Sequence, residues 1–270
     1  MKINIPFVEK ILTKFIREEL AKFSFRNGIL GLSGGLDSTV SAFLAARALG
    51  SEHVTALLMP YGKTFSRDAD DAGEVVKLLG IRSHMIDIAP SVDAYYEAHP
   101  TVEPMLKGNK MARERMSVLY DFSERENALI IGTSNKTELL LGYGTLHGDM
   151  ACALNPLGDL YKTQVRILGR HLGVPGKILK KAPTAGLWDG QTDEEELGLT
   201  YNEIDEILYQ LVDMRQSRTE ILKAGFDPSK TDKIIRLIKN SEFKRQMPPI
   251  AKISFRTVGH DFLFPYDWGK

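Results

Sequence analysis

The stretch ILGLSGGLDSTVSAFLAARALG (residues 29–50) decides the reading of the fold. An apolar run stops at Ser33-Gly34-Gly35, and a helical pattern starts within two residues. Two adjacent glycines reach backbone conformations barred to other residues. Successive N–H groups can then point into one concavity, and the helix that follows adds its positive end, so the turn suits an anion. Ser33 and Ser38 add hydroxyl donors. Asp37 is the odd member, because a carboxylate beside a bound phosphate repels it unless a cation lies between them. Magnesium, which takes one or two carboxylates plus phosphate oxygens, fits that place. A Walker loop requires G-x-x-x-x-G-K-[ST], and no lysine occurs between residues 31 and 50. A dinucleotide fingerprint requires G-x-G-x-x-G, and the spacing here differs.

Outward from this turn, strand-like and helical runs alternate. Strands are expected at 28–33, 53–60, 81–89 and 128–134, and helices at 37–50, 66–80 and 108–127. Short apolar strands separated by helices predict an α/β fold, an open doubly wound parallel sheet flanked by helices. Ligands of such sheets sit beyond the carboxyl ends of the strands, where both Ser33–Ser38 and Thr133–Glu138 fall. Before the first strand, Val8, Ile11, Leu12, Phe15, Ile16, Leu20 and Phe23 repeat at helical spacing and predict a packing helix. From about residue 160 the pattern turns helical: 162–173 is amphipathic, 180–198 reads as a long functional loop, and short helices follow. The expected organisation is one domain over 1–270, with a core of about 25–185 and a helical C-terminal part of about 198–245.

Composition narrows the function. The 270 residues are 43% hydrophobic and 26% charged, which is ordinary for a globular protein. Lys+Arg and Asp+Glu are both 35, and this balance argues against a general nucleic-acid binder. Cys152 is the single cysteine, so neither an internal disulfide nor a cysteine-based zinc site is possible. The N-terminal apolar run is too broken for a signal peptide, and no stretch has the length of a membrane span. A cytoplasmic protein is expected, with no membrane partner.

The residues S-G-G-L-D-S (33–38) resemble the signature of the N-type ATP pyrophosphatases, which cleave ATP between its α and β phosphates. Further motifs follow in order: G-N-K-M-A-R-E-R-M (108–116), G-T-S-N-K-T-E (132–138), G-Y-G-T (142–145), N-P-L-G-D-L-Y-K-T (155–163) and K-A-P-T-A-G-L (181–187). This series is similar to the ammonia-dependent NAD synthetases, from about residue 5 to about residue 255.

The resemblance assigns roles that the residues alone leave open. It implies that Gly31, Leu32, Ser33, Gly34, Gly35, Leu36, Asp37 and Ser38 hold the pyrophosphate part of ATP. Thr133, Lys162 and Thr184 match further ATP contacts, and Asp37 and Glu138 match the magnesium ligands. Arg113 and Lys244 match contacts to deamido-NAD. Read alone, these are a helix-face arginine, a helix-start glutamate, surface lysines and turn hydroxyls. Two family contacts to deamido-NAD, a lysine and an aspartate, are here Leu146 and Ala153 and are not carried over; Asp149 is a nearby carboxylate that could substitute. Where the pattern has His-Lys near the C-terminus, this chain has Phe243-Lys244. Cys152 and His147 read as structural, and Tyr266 and Trp268 as packing or tail.

The implied enzyme is a ligase forming a C–N bond. It joins ammonia to deamido-NAD through an adenylated nicotinate, with ATP as co-substrate and AMP, pyrophosphate and NAD as products. Its catalytic set is Asp37, Glu138 and Lys162, with Asp149 as a candidate proton acceptor for ammonium. Residues 183–198 are expected to close over the adenylate and exclude water. Glutamine-dependent relatives carry an added amidase domain with a catalytic cysteine, which this sequence lacks, so ammonia is the expected donor. The resemblance also implies a homodimer with deamido-NAD at its interface. Two rivals stand beside this reading. A tRNA-modifying member of the superfamily would favour a basic surface and more cysteines, and a binding module without turnover would dispense with Asp37 and Glu138.

Overall fold

A computed structural model of the chain describes residues 3–62, 66–101, 103–184 and 192–258. The first helix, α1 (Ile5–Lys22), is capped by Asn4, whose side chain accepts from the Phe7 N–H at 3.2 Å. Then follow β1 (Asn27–Gly31), α2 (Leu36–Leu49), β2 (Val54–Leu58), α3 (Ser66–Leu79), β3 (Arg82–Met85), α4 (Ala89–Ala98), α5 (Pro104–Arg125) and β4 (Ala128–Ile130). The remaining helices are α6 (Lys136–Leu141), α7 (Lys162–Leu172), α8 (Gly176–Lys180), α9 (Asp193–Leu197), α10 (Tyr201–Leu208), α11 (Arg218–Lys223) and α12 (Pro228–Asn240). A π-helical turn, Tyr209–Asp213, extends α10.

The sheet has the order β3-β2-β1-β4 and every pair is parallel, with Gly28 opposite both Val54 and Leu129. The chain steps outward from β1 to β2 to β3 and then returns to the other side of β1 with β4. The strand order therefore reverses between β1 and β4, and the crevice at their carboxyl ends is where such a sheet holds ligands. Both faces are covered. Leu30 faces a core made with α1, α2 and α7, whereas its neighbour Ile29 faces a second core made with α4 and α5. Fully burying each such side chain contributes about 1.5–3 kcal/mol. A third cluster, with Leu141, Tyr161, Ile204, Leu208 and Ile234, joins α6 to the C-terminal helices. The expected parallel α/β sheet with a helical C-terminal part is thus the architecture.

Several elements differ from their sequence reading. All four residues of β3 are exposed. It is an edge strand, and Arg82 and His84 pair with Glu126 at 3.2 and 3.1 Å rather than entering a core. α5 begins at Pro104 and not at 108, because proline suits the first helical turn while the buried Gly108 interrupts the helical pattern. α4 and α8 have no counterpart in the sequence reading, whereas α6 gives Glu138 the helix-start place read for it. The expected loop 180–198 also contains α9: the Thr192 side chain accepts from the Glu195 N–H, and four acidic residues complement the positive end of the helix. Within that segment residues 185–191 lie outside the described residues, as do Tyr266 and Trp268.

Candidate active site

The glycine turn is built by short contacts. Gly34 has φ +77°, and a Cβ on it would lie 2.3 Å from the backbone oxygen of Asp68 in α3. Only glycine satisfies both conditions. Gly34→Ala is expected to weaken ATP binding at least about tenfold, since left-handed backbone alone costs roughly 1–2 kcal/mol and the clash is with main chain. Nucleotide titration of the folded variant measures this, and unchanged affinity would refute it. Gly35 precedes α2 without a side-chain cap, so the first N–H groups of the helix keep no side-chain partner. The Ser33 and Ser38 hydroxyls lie 3.0 Å apart, and the Thr39 hydroxyl donates to the Gly35 carbonyl at 2.7 Å.

Across the crevice, the segment after β4 forms a capping box. Asn135 Oδ1 accepts from the Glu138 N–H at 3.0 Å, and Glu138 Oε2 accepts from the Asn135 N–H at 3.3 Å. The Asn135 amide then donates to Asp37 Oδ1 at 3.0 Å, tying the two strand ends together. Lys162, the first residue of α7, completes the centre. Its Nζ donates to Asp37 Oδ2 at 2.5 Å and to Glu138 Oε1 at 3.0 Å, and it lies 5.1 Å from the centre of the Tyr201 ring. Lys162 is only 4% exposed. Burial alone would lower its pKa, but Asp37 and Glu138 together hold the ammonium above its ordinary range. Burial pushes the Glu138 carboxyl up to about 7, with Lys162 pulling it down and Asp37 adding to the rise.

A second network sets this centre. Thr137 Oγ1 accepts from the Lys162 N–H at 3.0 Å and donates to Asp205 Oδ1 at 2.5 Å, while Asp205 Oδ2 accepts from the Thr163 N–H at 2.8 Å. Asp205, on α10, is fully buried. The C-terminal helices thereby lock the starts of α6 and α7, which carry Glu138 and Lys162. Thr137→Val, which keeps the shape and removes the hydroxyl, is expected to lower kcat about tenfold, because small displacements of reacting groups are costly. Thr137→Ser should restore most of the loss, and equal kcat in all three proteins would contradict the role.

A cavity of about 520 Å³ opens at the crevice. Of the residues given ATP, deamido-NAD, magnesium or catalytic roles in the sequence, all line it except Gly34, which faces α3, and Arg113. Arg113 is exposed on α5 and its Nε donates to the Leu146 carbonyl at 3.2 Å. The neighbouring Arg115 lines the cavity instead, its Nε donating to the Met59 carbonyl at 3.0 Å. Asp149 lines the cavity with its residue surface exposed, and desolvation by the surrounding protein still raises its carboxyl pKa although the Thr145 N–H donates to it at 2.8 Å. Lys244 Nζ donates to the carbonyls of Gly142 and Gly144, both at 2.8 Å; burial lowers its pKa. Thr184 lines the cavity.

Other functional groups were not singled out in the sequence. Asn135 had a local signal, the N-x-x-E capping pattern at 135–138. Lys181 had none beyond its motif: it pairs with Asp68 at 2.6 Å and Asp71 at 2.8 Å and approaches the Gly34 carbonyl at 3.4 Å, bracing the turn. Asp193 accepts from the Tyr201 hydroxyl at 2.8 Å beside the centre. Cys152 packs against the second core and burial pushes its thiol up. Among the described residues no group of three or more His, Cys, Asp and Glu is arranged around a metal, and no helix is long and apolar enough to cross a membrane.

Asp37 and Glu138 present hard carboxylate oxygens, each of which accepts one hydrogen bond from the protein and keeps a further lone pair. Two such carboxylates with phosphate oxygens as the other ligands are the kind of set magnesium takes, so the residues fit the ion.

Comparison with known proteins joins these features. The NAD synthase family model matches residues 8–248. An NH3-dependent NAD(+) synthetase from Trichlorobacter lovleyi is 50% identical over 270 residues, covering 100% of this chain and 99% of the relative. The structure of an NH3-dependent NAD synthetase from Campylobacter jejuni is similar with TM-score 0.80 and 35% identity, over 93% of this chain and 100% of that one. The structure of an NMN synthetase from Francisella tularensis is similar with TM-score 0.82 and 34% identity, over 93% and 99%. The glycine turn, the carboxylates facing it across the sheet's crevice, and the full-length matches place this chain in the NAD synthase family.

Proposed function

We propose that the chain is an ammonia-dependent NAD(+) synthase, a ligase that forms the amide of deamido-NAD from ATP and ammonia. The observation that carries this reading is the meeting of Asp37, Glu138 and Lys162 beside the glycine turn, in a chain aligned end to end with NH3-dependent synthetases. A carboxylate is a poor acceptor for ammonia, being anionic and without a leaving group. Adenylation removes both obstacles: the nicotinate oxygen attacks the α phosphorus, pyrophosphate departs, and ammonia then displaces AMP.

The turn at 31–38 receives the phosphates through its N–H groups and hydroxyls, as a preorganised donor set that needs no rearrangement during reaction. Asp37 and Glu138 would hold a magnesium ion, which when bound neutralises phosphate charge. Lys162 keeps the two carboxylates together in its absence. Asp149, which lines the cavity and has a raised pKa, would accept a proton from ammonium. Arg113, Leu106 and Tyr120 recur every seven residues on the exposed side of α5, and this mixed apolar and cationic stripe supports a homodimer that binds deamido-NAD at its interface. The ATP requirement and the single cysteine fit the cytoplasm.

Incubation with ATP, magnesium, ammonium and deamido-NAD should yield NAD, AMP and pyrophosphate in equal amounts. Because one similar structure is named an NMN synthetase, nicotinate mononucleotide in a parallel reaction tests a mononucleotide acceptor. Turnover of the mononucleotide alone would move the substrate assignment, and absence of AMP with either acceptor would overturn the reading.

A further inference from the structure

Five cationic side chains among the described residues line the cavity: Arg115, Lys162, Arg166, Lys181 and Lys244. Four are already engaged, Arg115 by the Met59 carbonyl, Lys162 by Asp37 and Glu138, Lys181 by Asp68 and Asp71, and Lys244 by two carbonyls. Arg166 is different. Its Nε is buried without a hydrogen-bond partner, and its guanidinium forms no ion pair with a described residue. It sits one turn after Lys162 on α7, at i+4, so both side chains leave the same face of the helix. That helix packs against α2, whose N-terminus forms the end of the glycine turn.

A buried donor without a partner is costly, and folded proteins keep few of them. A guanidinium is also the side chain best matched to phosphate oxygens, through parallel N–H donors and a charge that is never lost. We infer that Arg166 is a catalytic residue of this site that binds the β and γ phosphates of ATP and retains the pyrophosphate as it leaves. The inference rests on the reading that the cavity takes ATP.

In the transfer step the carboxylate oxygen of the acceptor forms a bond to the α phosphorus. The bond from that phosphorus to the α–β bridging oxygen breaks, and its electron pair stays on that oxygen, which departs as part of pyrophosphate. Negative charge thus grows on the β phosphate. Lys162 is already balanced by two carboxylates, whereas Arg166 forms no ion pair with a described residue. Arg166 supplies N–H donors to the leaving group.

The test is binding of ATP, inorganic pyrophosphate and AMP by the wild type, Arg166→Met and Arg166→Lys, together with the thermal midpoint of each. For Arg166→Met, ATP and pyrophosphate should bind about 10- to 100-fold more weakly, the loss of a charge-assisted pair. AMP should bind as before, and the ligand-free protein should be no less stable, because methionine removes the orphaned donor. Arg166→Lys should recover part of the pyrophosphate affinity. Unchanged ATP and pyrophosphate affinity in Arg166→Met would overturn the inference, as would an equal loss for AMP, which marks a structural effect. A wild type that binds none of the three would instead refute the ATP reading of the cavity.

Discussion

Asp37→Asn is expected to lower NAD formation by about 100- to 1,000-fold while leaving the protein folded, a loss typical of removing one preorganised electrostatic group from a reaction centre. The substitution keeps size and shape, so the packing of α2 against the sheet is preserved. What it changes is charge and hydrogen-bond polarity. One Asp37 oxygen accepts from the Asn135 amide and the other from Lys162. An Asn side chain has a single acceptor oxygen, so either Asn135 or Lys162 faces an amide donor. Asp37 also sits at the junction of turn and helix, where its carboxylate can reach a cation shared with the phosphates. The check is kcat for AMP release and for NAD formation in the same reaction, beside the thermal midpoint. Parallel loss of both products is expected, with a midpoint lowered only modestly, by the one donor left without an acceptor. Activity within tenfold of wild type would show that the carboxylate is dispensable.

The parts of this design that were legible in the sequence are those encoded locally. The change from an apolar run to a helical pattern around Ser33-Gly34-Gly35 announces a strand, a turn and a helix, and β1 and α2 lie there. Parallel pairing follows from the alternation of strands and helices. Local pattern failed where a tertiary neighbour decides. Residues 81–89 read as a strand, yet β3 spans only Arg82–Met85 at the sheet edge and all four of its residues are exposed. The stretch Thr192–Leu197 reads as polar loop, although its acidic residues are what a short helix start favours.

The site divides in the same way. Asp37 stood out because a carboxylate is incongruous in an anion turn. Its pairing with Lys162 spans 125 residues, and no spacing rule reaches that far. Thr137 and Asp205 resemble an ordinary helix threonine and a solvated aspartate until α10 packs over the starts of α6 and α7. Arg166 lies on an amphipathic helix where an arginine is usually solvated; only its buried Nε, without a hydrogen-bond partner among the described residues, distinguishes it. The helical C-terminal part, uninformative as sequence, acts as the clamp that holds Glu138 and Lys162 in register.

Lys162→Met should lose activity on a similar scale to Asp37→Asn, about 100- to 1,000-fold, but with a different signature in stability. The methionine fills most of the space of the lysine stem and leaves Asp37 and Glu138 facing each other with no cation between them. Removing one partner of a buried ion pair costs about 3–5 kcal/mol, because the remaining charge stays desolvated. The loss should therefore appear in the unfolding free energy of the metal-free variant at pH 8. Its pH dependence follows from Glu138. Burial has already raised that carboxyl from 4.5 to about 7 in the intact centre, and Lys162 is the main influence opposing the rise. Without the lysine the folded-state value moves higher still, while the unfolded value stays where it was. A group whose folded pKa is raised binds its proton more readily in the native state. Its contribution to stability is fully present below the unfolded value and is lost as pH rises through the folded value. The deficit of Lys162→Met relative to wild type should thus shrink as pH falls from 8 to 6, even though activity stays low at both. Denaturant unfolding of both proteins in the presence of a chelator, at the two pH values, measures the difference. A deficit that is the same at pH 6 and pH 8 would mean that the two carboxylates do not depend on Lys162 for their charge balance, and the centre would then have to be neutralised by another group.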